Sequence, residues 1–535
     1  MAIETRPVEA GPSAAGGTGG MKQTLSLTGV TVNAMALIAP GAFLWTTFQS
    51  QAGQSVGGVP TASDMWIGLA FALILAFLTA YSYSELANRY PRAGTGSSYY
   101  FAEAALLDKE KAHHRSLARV AKFSVGWLAH LYYWIYPGIM AAFGGILFGY
   151  LYSVASGHAP STALLIGVVL IFTLLNTYVA FRGISGSTMT AIVINVIQLV
   201  ALISFALFAI VFRVTHPGLH YDNTIGSVLT GNHSFTGILG QGTIAILLLV
   251  GFESITSLGA EAKNPKKDIR RGILLSLAIQ GLVMYMFEYF AANMVVGSSV
   301  SGGSLTGYSA AAADSAPIGT MIKNMGDMVF GGSVGTVLAL IVAATVLIAL
   351  FGTMLACLNT GVRITYAMGR DKEMPSILGL LHGRFATPHM GVWILGGVSA
   401  LLGIYGVVNT DHLAVIIYGS NIGTFLVYGA TNGIALVAFW SAHERGFIKH
   451  ILVPVLGAVA NLAMLLGVLY LAFTAGNLKV NGVPVVGSQT QSDALTAVLI
   501  VVVWFVAGAA WFAWNSRRLG RPARVHHPHP SAVAS

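Results

Sequence analysis

The sequence predicts an all-α integral membrane protein with twelve transmembrane helices. Of 535 residues, 55% are apolar and only 9% charged, against roughly 25% charged in a soluble domain. Apolar runs recur from residue 26 to residue 516, each near the roughly 20 residues that a helix needs to cross a bilayer. The basic residues gather between alternate runs. An ordinary soluble protein is excluded.

In order, the expected spans are 26–50, 64–88, 121–153, 160–180, 185–212, 236–260, 271–297, 334–368, 390–408, 411–440, 450–474 and 493–516. With both termini in the cytoplasm, only Arg213, Lys323 and Lys479 of the 28 Lys plus Arg fall outside. The positive-inside rule therefore fixes the orientation, and the net charge of +9 is topological rather than a sign of nucleic acid. Residues 1–23 and 517–535 are rich in Gly, Pro, Ser and Ala and read as disordered cytoplasmic tails flanking one membrane domain, 24–516. Residues 1–20 lack the apolar core of a cleavable leader.

The histidines of HHPHP in the second tail are separated by proline and lack acidic or thiol company, so no metal site is expected. Cys357 is the only cysteine, which leaves no intrachain disulfide. The external stretches 297–333 and 475–492 have loop composition, as lids or simple connections. Asn232-His233-Ser234 matches a glycosylation acceptor, a short pattern of low specificity.

Two spans carry a break at similar depth. The first contains Pro40-Gly41 and the sixth Val250-Gly251. Proline cannot donate to the helix ladder and disfavours helical geometry at Ala39. Irregular backbone at membrane depth must line a cavity or lie within protein. Five spans separate the two breaks, so the helices run in opposite directions, which points to a five-plus-five inverted repeat with substrate between the broken helices. The last two spans are then additional. Glu253, two residues past the second break, is a carboxylate that hydrocarbon penalises. It is read either as a proton-linked or gating group, or as a structural clasp satisfied by neighbouring donors. Glu288, in FEYF of the seventh span, is the other mid-span acid, with a functional role and simple lining equally open.

Three stretches carry a resemblance: TAYSYSELANRYPRAGTGSSYYFAEAAL after the second span, GFESITSLGAEAKNPKKDIRRGI at the sixth, and GTMLACLNTGVRITYAMGRDKEMP at the eighth with Thr387-Pro388 downstream. In that order and spacing the chain resembles the amino acid, polyamine and organocation permeases from about residue 24 to residue 516. The resemblance implies the leucine-transporter (LeuT-type) fold, alternating access, and an amino acid or small amine as substrate.

It also implies site residues. Ile38, Ala39, Gly41, Ala42 and Phe43 match the family's unwound first helix, where the amides of Gly41, Ala42 and Phe43 would receive a substrate carboxylate. Carbonyls of Leu37, Leu247 and Val250 would receive the ammonium, with Gly251 and Phe252 completing the second break. Ala39-Pro40 replaces the family's Gly-Ser and removes a hydroxyl and a backbone donor, which keeps an amine substrate open. Leu247 stands where some cation-selective members have an aromatic ring, which disfavours arginine. Thr353 matches the eighth-helix hydroxyl of the family's cation site, and Gln198 occupies the fifth-helix place where some proton-coupled members have lysine. Glutamine cannot titrate, so proton coupling would use another group, with Glu253 first, while coupling to sodium or obligate exchange stays open.

The expectation is therefore a multi-pass cell-membrane permease, without catalytic residues or a cofactor, moving an amino acid with a neutral side chain. A putrescine-type importer is the alternative within that class, and a non-transporting sensor of the same fold lies outside it. A membrane hydrolase would need His, Asp or Cys clustered in the spans, which hold almost none. Oligomeric state is not legible.

Overall fold

A computed structural model describes residues 25–38, 44–56, 58–91, 96–107, 115–183, 188–259, 261–302, 304–440, 442–474, 479–480, 483–484 and 491–518. The first half contains α1 (Leu27–Ile38), α2 (Leu44–Ala52), α3 (Met65–Arg89), α4 (Ser98–Leu107), α5 (Arg115–Tyr133), α6 (Tyr136–Ser156), α7 (Thr162–Phe181), α8 (Thr188–Thr215), α9 (Ile225–Thr230) and α10 (Phe235–Ala245). The second contains α11 (Pro265–Leu277), α12 (Met286–Val295), α13 (Gly307–Ala313), α14 (Pro317–Phe330), α15 (Val334–Arg370), α16 (His389–Val408), α17 (Thr410–Phe439), α18 (Val453–Thr474) and α19 (Gln491–Arg518). Three two-stranded antiparallel hairpins decorate the loops, pairing Ser55 with Pro60, Ser301 with Thr306 and Lys479 with Pro484.

Among the described residues, eleven helices are long and apolar enough to cross a membrane, where twelve were expected. The difference lies at the first span. There α1 has 12 residues and α2 has 9, and at 1.5 Å per residue neither crosses about 30 Å of hydrocarbon alone. The expected third span divides into α5 and α6, with Pro137 in the first turn of α6, where its missing N–H costs no hydrogen bond. The expected seventh span contains a π-helical stretch, Ala278–Tyr285, between α11 and α12. The stretch 297–333 is not simple loop. It holds α13 and α14, the latter opened by Pro317.

Lipid-facing surface is evident on the outer helices, where Ile171, Leu174, Val200, Val337, Leu401 and Val503 are exposed, as expected where hydrocarbon replaces water. By contrast α1 is central. It packs against α8, α11, α15 and the segment after the sixth-span break. Gly272 of α11 permits this approach, because a Cβ there would meet Ile255 at 2.5 Å and Val30 at 3.3 Å. The last helices, α18 and α19, pack on α17.

Candidate substrate site between two broken helices

The sixth-span break is built by Gly251. After Ala245 the chain tightens into the 3-10 turn Ile246–Leu248, passes Gly251 at φ +127°, and continues as a second 3-10 segment, Phe252–Leu258. L side chains rarely adopt that φ, and a Cβ here would lie 2.3 Å from Leu37 Cδ2 and 3.1 Å from Ile38 N. Glycine alone allows the end of α1 to seat against the break.

A helix leaves its last four carbonyls without intrahelical donors. In α1 three of them are met by side chains from neighbouring spans. Gln280 Nε2 donates to Met35 O at 2.9 Å, Thr353 Oγ1 to Ala36 O at 3.0 Å, and Tyr285 Oη to Ile38 O at 2.5 Å. The fourth, Leu37 O, has no side-chain donor among the described residues. Across the gap, Tyr136 Oη donates to Leu247 O at 3.0 Å. Leu37, Ile38, Leu247, Val250 and Phe252 are all buried, so the surroundings of the two chain ends are apolar apart from their carbonyls.

Glu253 is fully buried and fully engaged. Tyr132 and Tyr133 each donate to Oε1 at 2.9 Å, Tyr428 donates to Oε2 at 2.7 Å, and the Gly251 amide donates to Oε2 at 3.0 Å. Phe252 packs tilted against Tyr428, with centroids 5.3 Å apart, and edge-on to Tyr83 at 6.1 Å. Tyr83 in turn bonds Ser98, and Thr431 donates to Tyr83 Oη. The carboxylate thus ties three helices, α5, α17 and the sixth span, to the glycine of the break.

Of the residues expected from sequence, Leu37, Ile38, Leu247, Val250, Gly251, Phe252, Glu253 and Thr353 come together here. Ala39, Gly41, Ala42 and Phe43 lie outside the described residues. Gln198 is buried on α8, but its Nε2 meets no partner among the described residues. The contact from that side is made instead by Gln280, which also donates to Asn195 at 3.3 Å. Sequence reading missed Tyr132, Tyr133, Tyr136, Tyr285, Tyr428 and Gln280. Their signal was polar tips at mid-span, since a buried tyrosine hydroxyl usually finds a partner.

One end of the site is sealed at the side rich in basic residues. Leu25 N donates to Glu261 O at 3.0 Å and Lys263 N to Leu25 O at 2.8 Å, so the start of the described chain is stitched to the exit of the sixth span. Arg363 of α15 donates to Glu261 at 2.7 Å and to Ser257 O at 3.2 Å. Further out, Arg270 pairs with Glu85 at 2.7 Å and Arg89 with Glu444 at 2.8 Å. Asp268 Oδ2 accepts the Asn264 amide at 3.1 Å, capping the start of α11.

Two broken ends meeting at mid-depth, within a chain of many membrane helices, are a transporter's geometry, and residues 23–506 match the family model described as amino acid permease. This chain belongs to that family. The permease is 25% identical over 459 residues to the low-affinity putrescine importer PlaP of Escherichia coli strain K12, covering 82% of this chain and 87% of the relative. It is also 25% identical over 408 residues to the branched-chain amino acid permease BcaP of Bacillus subtilis strain 168, covering 74% and 76%. A solved structure, MhsT in complex with L-phenylalanine, superposes with a TM-score of 0.57 at 13% identity, covering 83% of this permease and 99% of that chain. That likeness shows the leucine-transporter fold. The permease is a multi-pass membrane protein.

Proposed function

We propose that this permease is a secondary transporter that carries an amino acid with a neutral side chain across the cell membrane by alternating access, with both termini in the cytoplasm and no covalent chemistry. The observation that carries this reading is the end of α1. Three of its four terminal carbonyls are met by Gln280, Thr353 and Tyr285, while Leu37 O is left facing the sixth-span break. Carbonyls at a helix C-terminus carry about half a negative charge, which suits an α-ammonium. Gly41, Ala42 and Phe43 would take the carboxylate. Leu247, Val250 and Phe252 suit an uncharged side chain.

Glu253 does not fit the role of an amine partner in this state, because four donors already occupy its two oxygens. The putrescine importer among the relatives keeps a diamine as the second reading, and the buried carboxyl of Glu288 is the group that would favour it. The test is counterflow in proteoliposomes loaded with unlabelled leucine or putrescine. Saturable uptake of labelled leucine supports the proposal. Uptake of putrescine alone overturns it, and binding without exchange by either compound indicates a sensor.

A further inference from the structure

Glu288 is the acid that the site as described does not use. It lies on α12, fully buried, and neither carboxyl oxygen has a hydrogen-bond partner among the described residues. The contrast with Glu253 is complete, since that carboxylate has four donors. A carboxylate stripped of water and given no donor is strongly disfavoured, so such a group is held neutral or with a cation.

Its neighbours select between those two. Tyr285, one helical turn before it, donates its hydroxyl to Ile38 O. Tyr289, the next residue, donates to Gln51 Oε1 at 2.7 Å and packs on Phe48. Both hydroxyl protons are therefore committed elsewhere. Thr47 Oγ1 and Gln51 Nε2, one turn apart on α2, are themselves buried without partners. A metal cation needs several converging oxygens, and among the described residues no cluster of three His, Cys, Asp or Glu side chains is present. A proton needs only the carboxyl itself.

The charged and titratable groups packed on α12 from elsewhere leave it without a counter-charge. From α8 comes Arg213, held on Met294 O at 3.2 Å and on Asn223 O at 3.0 Å. From α3 come Met65 and Trp66, with Asp64 before them bonded to His233 at 2.9 Å. Tyr308 bonds Asn293 near the outer end of α12. The π-helical stretch, α2 and α9 contribute polar groups and tyrosines but no charge.

We propose that Glu288 carries the co-transported proton. The inference rests on the transporter reading above. One proton passes from water on one side of the membrane to a carboxyl oxygen of Glu288 and leaves to water on the other, with no other bond made or broken. The enclosed conformation tolerates the protonated side chain and resists the ionised one. Because Tyr285 links the same helical turn to the end of α1, enclosure of the site and proton loading are coupled. Glu253, first in line from sequence, is the clasp instead.

The experiment uses the full chain in proteoliposomes with labelled leucine, and with labelled putrescine as the second probe. Wild type should show counterflow without a gradient, and faster net uptake when the outside is made acidic. Glu288→Gln should retain counterflow and lose the acceleration, while Glu288→Asp recovers part of it. Retention of the acid response by Glu288→Gln overturns the proposal. So does loss of counterflow and net uptake together in a variant that elutes and melts like wild type, which would make Glu288 a substrate ligand. Acceleration by a sodium gradient in place of a pH gradient overturns it as well. Glu288→Gln and Glu288→Met remove an unpaired buried acid and should fold; failure of both would assign the carboxyl a structural role. Absence of exchange by wild type with every labelled amino acid and amine would remove the transporter reading and this inference with it, whereas a wild type that exchanges isolates any failure to Glu288.

Discussion

Glu253→Gln tests the clasp directly. The carboxylate accepts two hydrogen bonds at each oxygen, from Tyr132 and Tyr133 at Oε1 and from Tyr428 and Gly251 at Oε2. A glutamine keeps one acceptor oxygen and places an NH2 group against the other two donors. Tyrosine can turn its hydroxyl proton away. The Gly251 amide cannot, and at 3.0 Å it faces a second donor. With hydrogen bonds to a charged acceptor contributing about 1.5–3 kcal/mol each, loss of two predicts destabilisation of about 3–6 kcal/mol. Tyr428→Phe removes one donor and should cost about half as much, so the pair also tests the per-bond reasoning. The assay is thermal unfolding of purified protein in detergent, followed by size exclusion, with counterflow on whatever remains folded. A Glu253→Gln protein that melts with wild type, while Tyr428→Phe does not, would refute the assignment of the carboxylate as the group that holds the break.

Four further outcomes are expected. Gly251→Ala forces an L residue to φ +127° with its Cβ against Leu37, which should cost about 1–3 kcal/mol in backbone strain alone and abolish counterflow. Thr353→Ala releases the Ala36 carbonyl and should lower stability by about 0.5–1.5 kcal/mol, with a rise in KM larger than the fall in kcat. Glu103, outside the membrane spans, has its pKa raised by burial against the opposing pull of Lys122. A raised carboxyl binds its proton more tightly when folded, so its contribution to stability is greatest below the usual 4.5 and is lost as pH rises through the folded value; Glu103→Gln should flatten that fall in melting temperature against pH. Arg363→Gln loosens the bonds to Glu261 and Ser257 and should speed labelling of the buried, sole thiol, Cys357, by a membrane-permeant maleimide.

The membrane fold was legible because its signals are local: long apolar runs, basic residues at alternate ends, and Gly251 placed where two backbones must touch. The break at Val250-Gly251 lies where sequence put it. What sequence could not supply was pairing across distant spans. Tyr132 and Tyr428 are 296 positions apart along the chain, and nothing in either neighbourhood marks them as sharing one carboxylate. The same limit explains Glu253 and Glu288, which look alike as mid-span acids and differ only in what the fold brings to them. The helices within 297–333 were missed because small residues such as those of α13 have no apolar periodicity strong enough to outweigh the surrounding glycines and serines.

The contacts at the two ends of α1 constrain how this permease can move. At one end Leu25 is bonded on both sides to the strand-like exit at Glu261 and Lys263, and at the other Leu37 rests on Gly251. Between those attachments α1 and Phe252–Leu258 lie side by side. They form one swinging body rather than two independent gates. Opening the basic end must carry both pieces away from α15 together, so amide exchange at Leu25, Glu261 and Lys263 should slow or quicken in step whenever a ligand shifts the balance between closed and open forms.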